Sequence, residues 1–113
     1  MDYFSIPILF YKEDGSHNEP VKEWLHTLTK EERRIIGKDL RTVQVGWPLG
    51  MPLVKSMGRG LWEVRSALPS GVSRIFFIMS SGEIVLLHGI IKKTQKTPER
   101  DLELARKRAR KYG

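Results

Sequence analysis

Three lysines that follow an apolar segment are the residues of this sequence that most clearly could transfer protons or bind an anion. The apolar run at residues 86–91 leads directly into Lys92 and Lys93 and, after two polar residues, Lys96. Crowded like charges are unfavourable unless an anion lies among them, and they favour the neutral amine, which can act as base or acid. The alternative is a solvated strand end that only attracts a polyanion. Because side chains alternate along a strand, Lys92 and Lys93 point to opposite faces and cannot share one role.

Arg74 is the strongest candidate for a phosphate clamp. It stands in the apolar run VSRIFFIM, in the middle of a predicted strand, where a solvated cation has no structural purpose. A guanidinium offers a planar fork that matches two phosphate oxygens. The alternative is an ion pair with Glu63 on the neighbouring strand.

His88 allows two interpretations. Alternation along the strand places it on one face with Leu86 and Ile90, and a histidine on an apolar face is more often a satisfied core residue than a catalyst. As the histidine nearest the lysines, it can also belong to an acid–base pair.

Four further polar residues complete the candidate set. Lys55 and Arg59 lie in a predicted loop whose glycines would let the chain approach a ligand closely. Arg65 either supports a phosphate or pairs with Glu83. Gln95 can hydrogen-bond a base edge or a phosphate.

The elements that would position these residues follow from turn signals and apolar periodicity. Pro7 favours an edge position for the first strand, Pro20 suits a first helical residue, and Thr29 with Glu32 forms a capping box. Thr97 is expected to cap the last helix. The order β-α-α-β-β-β-α predicts an α+β domain with an antiparallel sheet and helices packed on one of its faces, namely two N-terminal helices and a basic C-terminal helix. The predicted elements are residues 3–12, 20–28, 31–45, 61–68, 72–80, 84–94 and 98–112.

Composition limits the function classes. The 113 residues, of which 40% are hydrophobic, suit a single domain over residues 1–113. The chain has no cysteine, which excludes disulfides and a cysteine nucleophile. The three histidines show no ligand-like spacing, so we expect neither a metal nor a cofactor. The sequence lacks an apolar run of the ~20 residues that span a membrane and a basic signal-peptide region, so we expect a cytoplasmic protein that does not contact the membrane.

The net charge of +7 is concentrated in the last quarter of the sequence. Residues 1–87 hold 11 Lys and Arg against 10 Asp and Glu, whereas residues 88–113 hold 9 against 3. This asymmetry favours a polyanion or an acidic protein partner. A well-solvated basic helix is the alternative.

Several of these segments together resemble one known family. GLWEVR (60–65), GVSRIFF (71–77) and LLHGIIKKTQKTP (86–98), followed by a basic helix, resemble the phage Gp49-like/HigB branch of the RelE/ParE toxin superfamily. The resemblance covers nearly the whole chain and implies a small RelE-like fold and a toxin of a type II toxin–antitoxin pair. Such toxins typically cut mRNA, usually on the ribosome, and a HigA-like helix-turn-helix antitoxin silences them.

The resemblance also implies roles for the cations. Metal-free RNA cleavage needs the ribose 2′-OH to attack phosphorus, and one preorganised group that holds the developing charge contributes ~2.7–4 kcal/mol. We therefore expect Arg74→Ala to relieve a block of translation and to leave the fold intact. The residues expected to be catalytic are Arg74, Lys93, Lys92, Lys55 and His88. Those expected to bind RNA are Arg59, Arg65, Gln95 and Lys96.

Two positions depart from the family pattern. Ser73 stands where an aromatic residue usually precedes the arginine, and Ile90 stands where phenylalanine usually follows His-Gly. Ser73 thereby removes a stacking surface for a base.

Two other functions stay open on the sequence. A non-enzymatic, ParE-like inhibitor of DNA gyrase would use the same fold, although such relatives generally lack the full basic set. A plain RNA- or DNA-binding module would explain the charge but not the combination of GLWEVR with KKTQKTP.

Overall fold

A five-stranded mixed sheet forms the centre of the computed structural model, which describes residues 5–94 and 96–113. The strands lie in the order β1-β5-β4-β3-β2. Strands β2 to β5 pair with their chain neighbours in antiparallel fashion, and β1 lies parallel to β5 at one edge. The strands are β1 (Ile8–Phe10), β2 (Val54–Gly58), β3 (Leu61–Leu68), β4 (Gly71–Ser80) and β5 (Glu83–Lys92).

The α+β class and the three-strand meander are confirmed, with two differences from the prediction. The sequence predicts a loop where the structure has β2, because Pro52 and Gly58 enclose a short, partly polar run. The sheet is mixed rather than antiparallel, because β1 joins β5 through parallel pairing. The edge position of β1 agrees with the interpretation of Pro7.

The first two helices, α1 (Pro20–His26) and α2 (Lys30–Gly46), pack on one face of the sheet. The predicted capping box is present: Glu32 N donates to Thr29 Oγ1 at 3.1 Å, and Thr29 N donates to Glu32 Oε1 at 2.8 Å. The backbone N–H of Thr29 and then the hydroxyl of Ser70 lower the pKa of Glu32, since both hydrogen bonds favour the carboxylate. Among the described helices, none combines the length and apolar character that a bilayer crossing requires.

The third helix, α3 (Glu99–Ala109), packs on the opposite face and continues into a 3₁₀ turn, Arg110–Tyr112. Both faces of the sheet need cover because Phe76 and Phe77, consecutive in β4, are both fully buried on opposite sides. The expectation that only one face carries helices is therefore wrong. The cap differs too: Pro98 is the N-cap, without a side-chain bond, and the Thr97 hydroxyl donates elsewhere.

A β-bulge in β5 changes which side chains face α3. Phe76 pairs with His88 and Phe77 with Leu86, so Leu87 is an extra residue between them. His88 therefore shares a face with Phe76 and Ile90, and the prediction that places it with Leu86 is wrong. Strict alternation cannot anticipate an inserted residue.

Candidate functional site

Glu63 is the centre of a buried polar network on the α3 face of the sheet. Its side chain is 0% exposed, and Oε1 accepts from Arg65 Nε at 2.9 Å and from Arg74 Nη1 at 3.2 Å. Its Oε2 accepts from Thr97 Oγ1 at 2.9 Å. Arg65 and Arg74 lie directly opposite each other on β3 and β4, where two like charges repel. The carboxylate between them offsets this repulsion.

Arg74 and Arg65 differ in their access to solvent. The Arg74 side chain is 1% exposed, and its Nη2 also donates to the carbonyl of Thr94 at 2.9 Å. The Arg65 side chain is 18% exposed. The ion pair of Arg74 with Glu63 is thus present, and Arg65 is the arginine of this network that a ligand can reach. Arg65 does not pair with Glu83, which begins β5 at the other end of the sheet.

Two lysines extend this network across the sheet. Lys55 lies on β2 directly opposite Glu63, and Lys92 ends β5 opposite Val72, two residues from Arg74. Lys55 lies in a strand and not in the loop that the glycines suggested. Because neighbouring strands are about 4.8 Å apart, the charges on four adjacent strands extend over ~14 Å. We call Lys55, Arg65, Arg74 and Lys92 the cation cluster.

The segment between β5 and α3 crosses over the buried pair of Glu63 and Arg74. Thr94 contributes its carbonyl to Arg74, and Thr97 contributes its hydroxyl to Glu63. These contacts hold the segment down at two points, so Lys93 and Lys96 remain exposed at its surface. Gln95, expected to bind RNA, lies outside the described residues.

Arg59 is not part of the cation cluster. It lies in the turn between β2 and β3, which is at the same end of the sheet as the turn after β4. Leu61, which begins β3 directly after this turn, precedes Arg65 by four residues of extended chain, which is ~13 Å at about 3.3 Å per residue. The structure therefore divides the predicted cations between the two ends of one sheet face.

His88 has structural partners beneath α3. Its Nε2 lies 2.7 Å from Asp101 Oδ1, and its ring stacks on Phe76 at a centroid distance of 6.1 Å. The side chain is 17% exposed. This environment is that of a satisfied histidine, and it joins β5 to the first turns of α3.

Two of the four cations of α3, Arg106 and Arg108, hold the helix to the sheet. Arg106 donates to the carbonyls of Met57 and Gly58 at the end of β2. Arg108 donates to the carbonyl of Leu87 at 2.7 Å, in the bulge. The hydrogen bond of Lys111 to Asp14 raises the pKa of that lysine. These three cations therefore have partners within the fold, so the number of positive charges in this segment exceeds the number that is accessible to an anion.

Glu63 is central to the site, although the sequence predicted it only as a possible ion-pair partner of Arg74. A spacing of two residues in GLWEVR places Glu63 and Arg65 on one strand face, and this signal was available. The Thr97 contact had no comparable signal, because a threonine before a proline and two acids equally suits a helix cap. Among residues 5–94 and 96–113, no three His, Cys, Asp or Glu side chains are grouped so that they could hold a metal ion.

Comparison with protein families agrees with this architecture. Residues 23–110 match the model of a family described as phage derived protein Gp49-like (DUF891). The chain belongs to the Gp49-like family. That family is the RelE/HigB-like toxin branch, so the protein is of the toxin–antitoxin toxin kind, with an antitoxin as the partner that the family suggests. No match was found among curated proteins.

Proposed function

We propose that this Gp49-like protein is an endoribonuclease that cuts mRNA without a metal ion and thereby inhibits translation. One observation carries the proposal: four adjacent strands each contribute a cation to the same sheet face, around a buried carboxylate that fixes two of them. A cluster of this kind suits a scissile phosphodiester, because the phosphorane gains negative charge in the transition state.

Arg65 is the group that we assign to the phosphate. Its Nε is bound to Glu63, and this contact fixes the plane of a guanidinium that is still partly open to solvent. Arg74 is a positioning residue in this account, because it is buried and holds both Glu63 and the segment at Thr94. Its charge still contributes to the local field, which is stronger where water is excluded.

Lys55 and Lys92 are the candidates for proton transfer. They lie on opposite sides of Arg65, on β2 and β5, and both are half-buried. In the proposed reaction one amine accepts the proton of the 2′-OH while its oxygen bonds to phosphorus. The other ammonium gives a proton to the 5′-oxygen as the P–O bond breaks, which leaves a 2′,3′-cyclic phosphate and a 5′-hydroxyl. Lys93 and Lys96, exposed on the covering segment, would hold the neighbouring phosphates.

The family and the charge support two proposed partners. We propose that the message is cut on the ribosome and that a HigA-like helix-turn-helix antitoxin silences the toxin. The net charge of +7 suits both a ribosome-bound message and an acidic antitoxin segment.

Replacement of Arg65 tests the proposal. In a cell-free translation reaction, the wild-type protein should block synthesis and shorten the message. Arg65→Ala should reduce the rate of cutting by at least ~100-fold, which is the usual effect of removing one donor to a developing charge. Primer extension on the message measures the cutting.

Lys107→Ala is the matched control. Lys107 is an exposed cation on α3, away from the cation cluster, so its loss changes the net charge equally and should leave cutting within about twofold. Full cutting by Arg65→Ala, or a translation block with an intact message, would reject the proposal.

A further inference from the structure

The two oxygens of the buried Glu63 carboxylate have different partners. Oε1 accepts from both arginines of the network, at 2.9 Å from Arg65 Nε and at 3.2 Å from Arg74 Nη1. Oε2 accepts from the Thr97 hydroxyl at 2.9 Å. The last torsion of a glutamate side chain has a broad energy profile, so a rotamer preference does not fix the plane of the carboxylate. A hydrogen bond to the second oxygen fixes this plane, and Thr97 supplies that bond.

Arg65 contacts Glu63 through a single nitrogen of its guanidinium group. Its Nε donates to Oε1, and within the part of the chain that the structure describes its two Nη groups have no hydrogen-bond partner. An arginine beside a carboxylate frequently binds both oxygens in a bidentate pair, which is a strong arrangement. Such a pair would need Oε2, and here Oε2 is bound to Thr97 instead. The Nη groups of Arg65 are thereby left for another ligand.

The Thr97 hydroxyl does not cap the helix that it precedes. Pro98 is the N-cap of α3 and has no side-chain hydrogen bond, although threonine is among the residues that are preferred as a cap. Thr97 lies one residue before that position, and its hydroxyl donates to Glu63. The hydrogen bond that this threonine makes therefore serves the buried carboxylate and not the helix.

A contact beneath α3 fixes the position of Thr97. His88 Nε2 on β5 lies 2.7 Å from Asp101 Oδ1 in the first turn of the helix, and Asp101 N donates to the carbonyl of Pro98 at 3.2 Å. The start of α3 is therefore attached to the sheet independently of Glu63. Because Thr97 directly precedes this attached turn, its hydroxyl approaches the carboxylate from a defined position.

Loss of the Thr97 hydroxyl would leave a buried carboxylate oxygen without its donor, which is unfavourable enough to attract another one. Arg74 is held in place by the carbonyl of Thr94. The Arg65 side chain is more exposed, at 18% against 1% for Arg74, and has more room to move. We therefore expect Arg65 to turn into a bidentate pair with Glu63 when the hydroxyl is removed.

We propose that Thr97 is a positioning residue for the cleavage reaction: by holding Oε2 of Glu63, it keeps Arg65 in a single bond with that carboxylate and leaves both Nη groups for the scissile phosphate. The inference rests on the proposed function. A guanidinium that presents two Nη groups can bind two phosphate oxygens at once. Thr97 acts through Glu63 and Arg65 and makes no contact with the RNA.

Thr97→Val tests the inference, because it removes the hydroxyl and nearly retains the shape of the side chain. Thr97→Ala removes the same hydroxyl without a branched side chain and is measured in parallel. Cutting of a defined message on translating ribosomes, followed by primer extension at saturating protein, should be slowed at least about tenfold in both variants, which is the effect of one hydrogen bond to a charged group. Thr97→Ser retains the hydroxyl and should cut nearly as fast as the wild type.

Thr42→Val is the matched control. Thr42 is exposed on α2, on the other side of the sheet, and its hydroxyl donates to the carbonyl of Lys38 at 3.1 Å. The same chemical change at this position should leave the rate of cutting within about twofold of the wild type.

The double variant separates positioning from a general effect on the fold. If Thr97 acts through Arg65, then Thr97→Val should not slow cutting further in the Arg65→Ala background, because the effects of residues in one network are not additive. A side chain that only stabilises the fold would slow both backgrounds by the same factor.

Nitrogen-15 NMR of the arginine side chains gives a readout that does not depend on cutting. The Nη signals of Arg65 are identified by their loss in Arg65→Ala. In Thr97→Val they should exchange with water more slowly than in the wild type, since a bidentate pair with Glu63 protects them.

The results that would overturn the inference differ from the result that would overturn the proposed function. If Arg65→Ala cuts slowly while Thr97→Val cuts like the wild type, or slows both backgrounds equally, Thr97 is not a positioning residue and the proposed function stands. Unchanged exchange of the Arg65 signals, or failure of both hydroxyl-free variants to fold, rejects the inference in the same way. Full cutting by Arg65→Ala rejects the proposed function itself.

Discussion

Glu63 determines how the cations of this protein can act. Its carboxylate binds two arginines that would otherwise repel each other, and these bonds fix the orientation of both guanidinium groups. The carboxylate also binds the segment that follows β5, through Thr97. The two arginines thereby acquire different tasks. Arg74 is buried and supports the structure, whereas Arg65 is partly exposed and can contact a phosphate.

Arg74→Ala should lower the free energy of unfolding by ~3 kcal/mol, because removal of one partner from a buried ion pair leaves the other charge poorly compensated. Arg65→Ala should cost less, about 1.5 kcal/mol for one hydrogen bond to a charged group, because Arg74 and Thr97 still bind Glu63. Urea unfolding followed by tryptophan fluorescence measures both. Equal and small losses would contradict the structural role of Arg74.

Because of this difference in stability, Arg65→Ala is a better variant than Arg74→Ala for measurements of activity. The sequence led to the expectation that Arg74→Ala would leave the fold intact, and burial of that side chain argues against it. The strand positions of Arg65 and Arg74 could be predicted from the sequence pattern. Which of the cations are buried and which are accessible could not be predicted, because this depends on the carbonyl of Thr94 and on the packing of α3.

At the level of elements, the bulge at Leu87 and the glycine at 89 adapt β5 to helices on both faces. The bulge turns His88 toward Asp101 of α3, and the carbonyl of Leu87 accepts from Arg108. On the other face, Trp24 of α1 lies over Gly89: a Cβ there would be 2.4 Å from the indole. The His-Gly pair therefore has a packing explanation.

Gly89→Ala should destabilise the protein by about 1–3 kcal/mol, since an added methyl group would overpack the contact with Trp24. Gly37→Ala is the matched control, because a Cβ at this site in α2 has nothing within 4 Å. That change should stabilise by about 0.5–1 kcal/mol through helix propensity. Thermal unfolding by circular dichroism compares them, and a neutral Gly89→Ala would show that the indole can move aside.

Elements with a strong periodic pattern were predictable, whereas irregular features were not. The capping box at Thr29 and the meander from Leu61 onward follow from local signals. Strand β2 was missed because a short edge strand carries polar residues and resembles a loop. The bulge in β5 cannot be recognised from the alternation of apolar and polar residues in the sequence. The sheet face that α3 covers is determined by packing between residues far apart in the chain.

At the level of the whole molecule, some cations hold elements of the fold together, and others remain accessible to a ligand. Two arginines of α3 fasten the helix to β2 and to the bulge, and Lys111 in the 3₁₀ turn that follows donates to the carbonyl of Lys12. The cation cluster lies at one end of the sheet, and Arg59 lies in the turn at the other end. The net charge predicted an anionic partner, but only the fold distinguishes cations that hold elements together from those that are accessible.

The chemical groups at the ends of the cut message distinguish metal-free cleavage through the 2′-OH from other ways of cutting RNA. Purified protein is incubated with translating ribosomes and a defined message. The fragments are then mapped, and their termini are identified by kinase and phosphatase treatment. A single 2′-deoxy substitution at the mapped position serves as the control for attack by the 2′-OH. We expect 5′-hydroxyl and 2′,3′-cyclic phosphate termini, no cutting at the deoxy position, and cutting by Arg65→Ala that is at least ~100-fold slower than by the wild type. Fragments with 5′-phosphate ends, or cutting that survives the deoxy substitution, would contradict it.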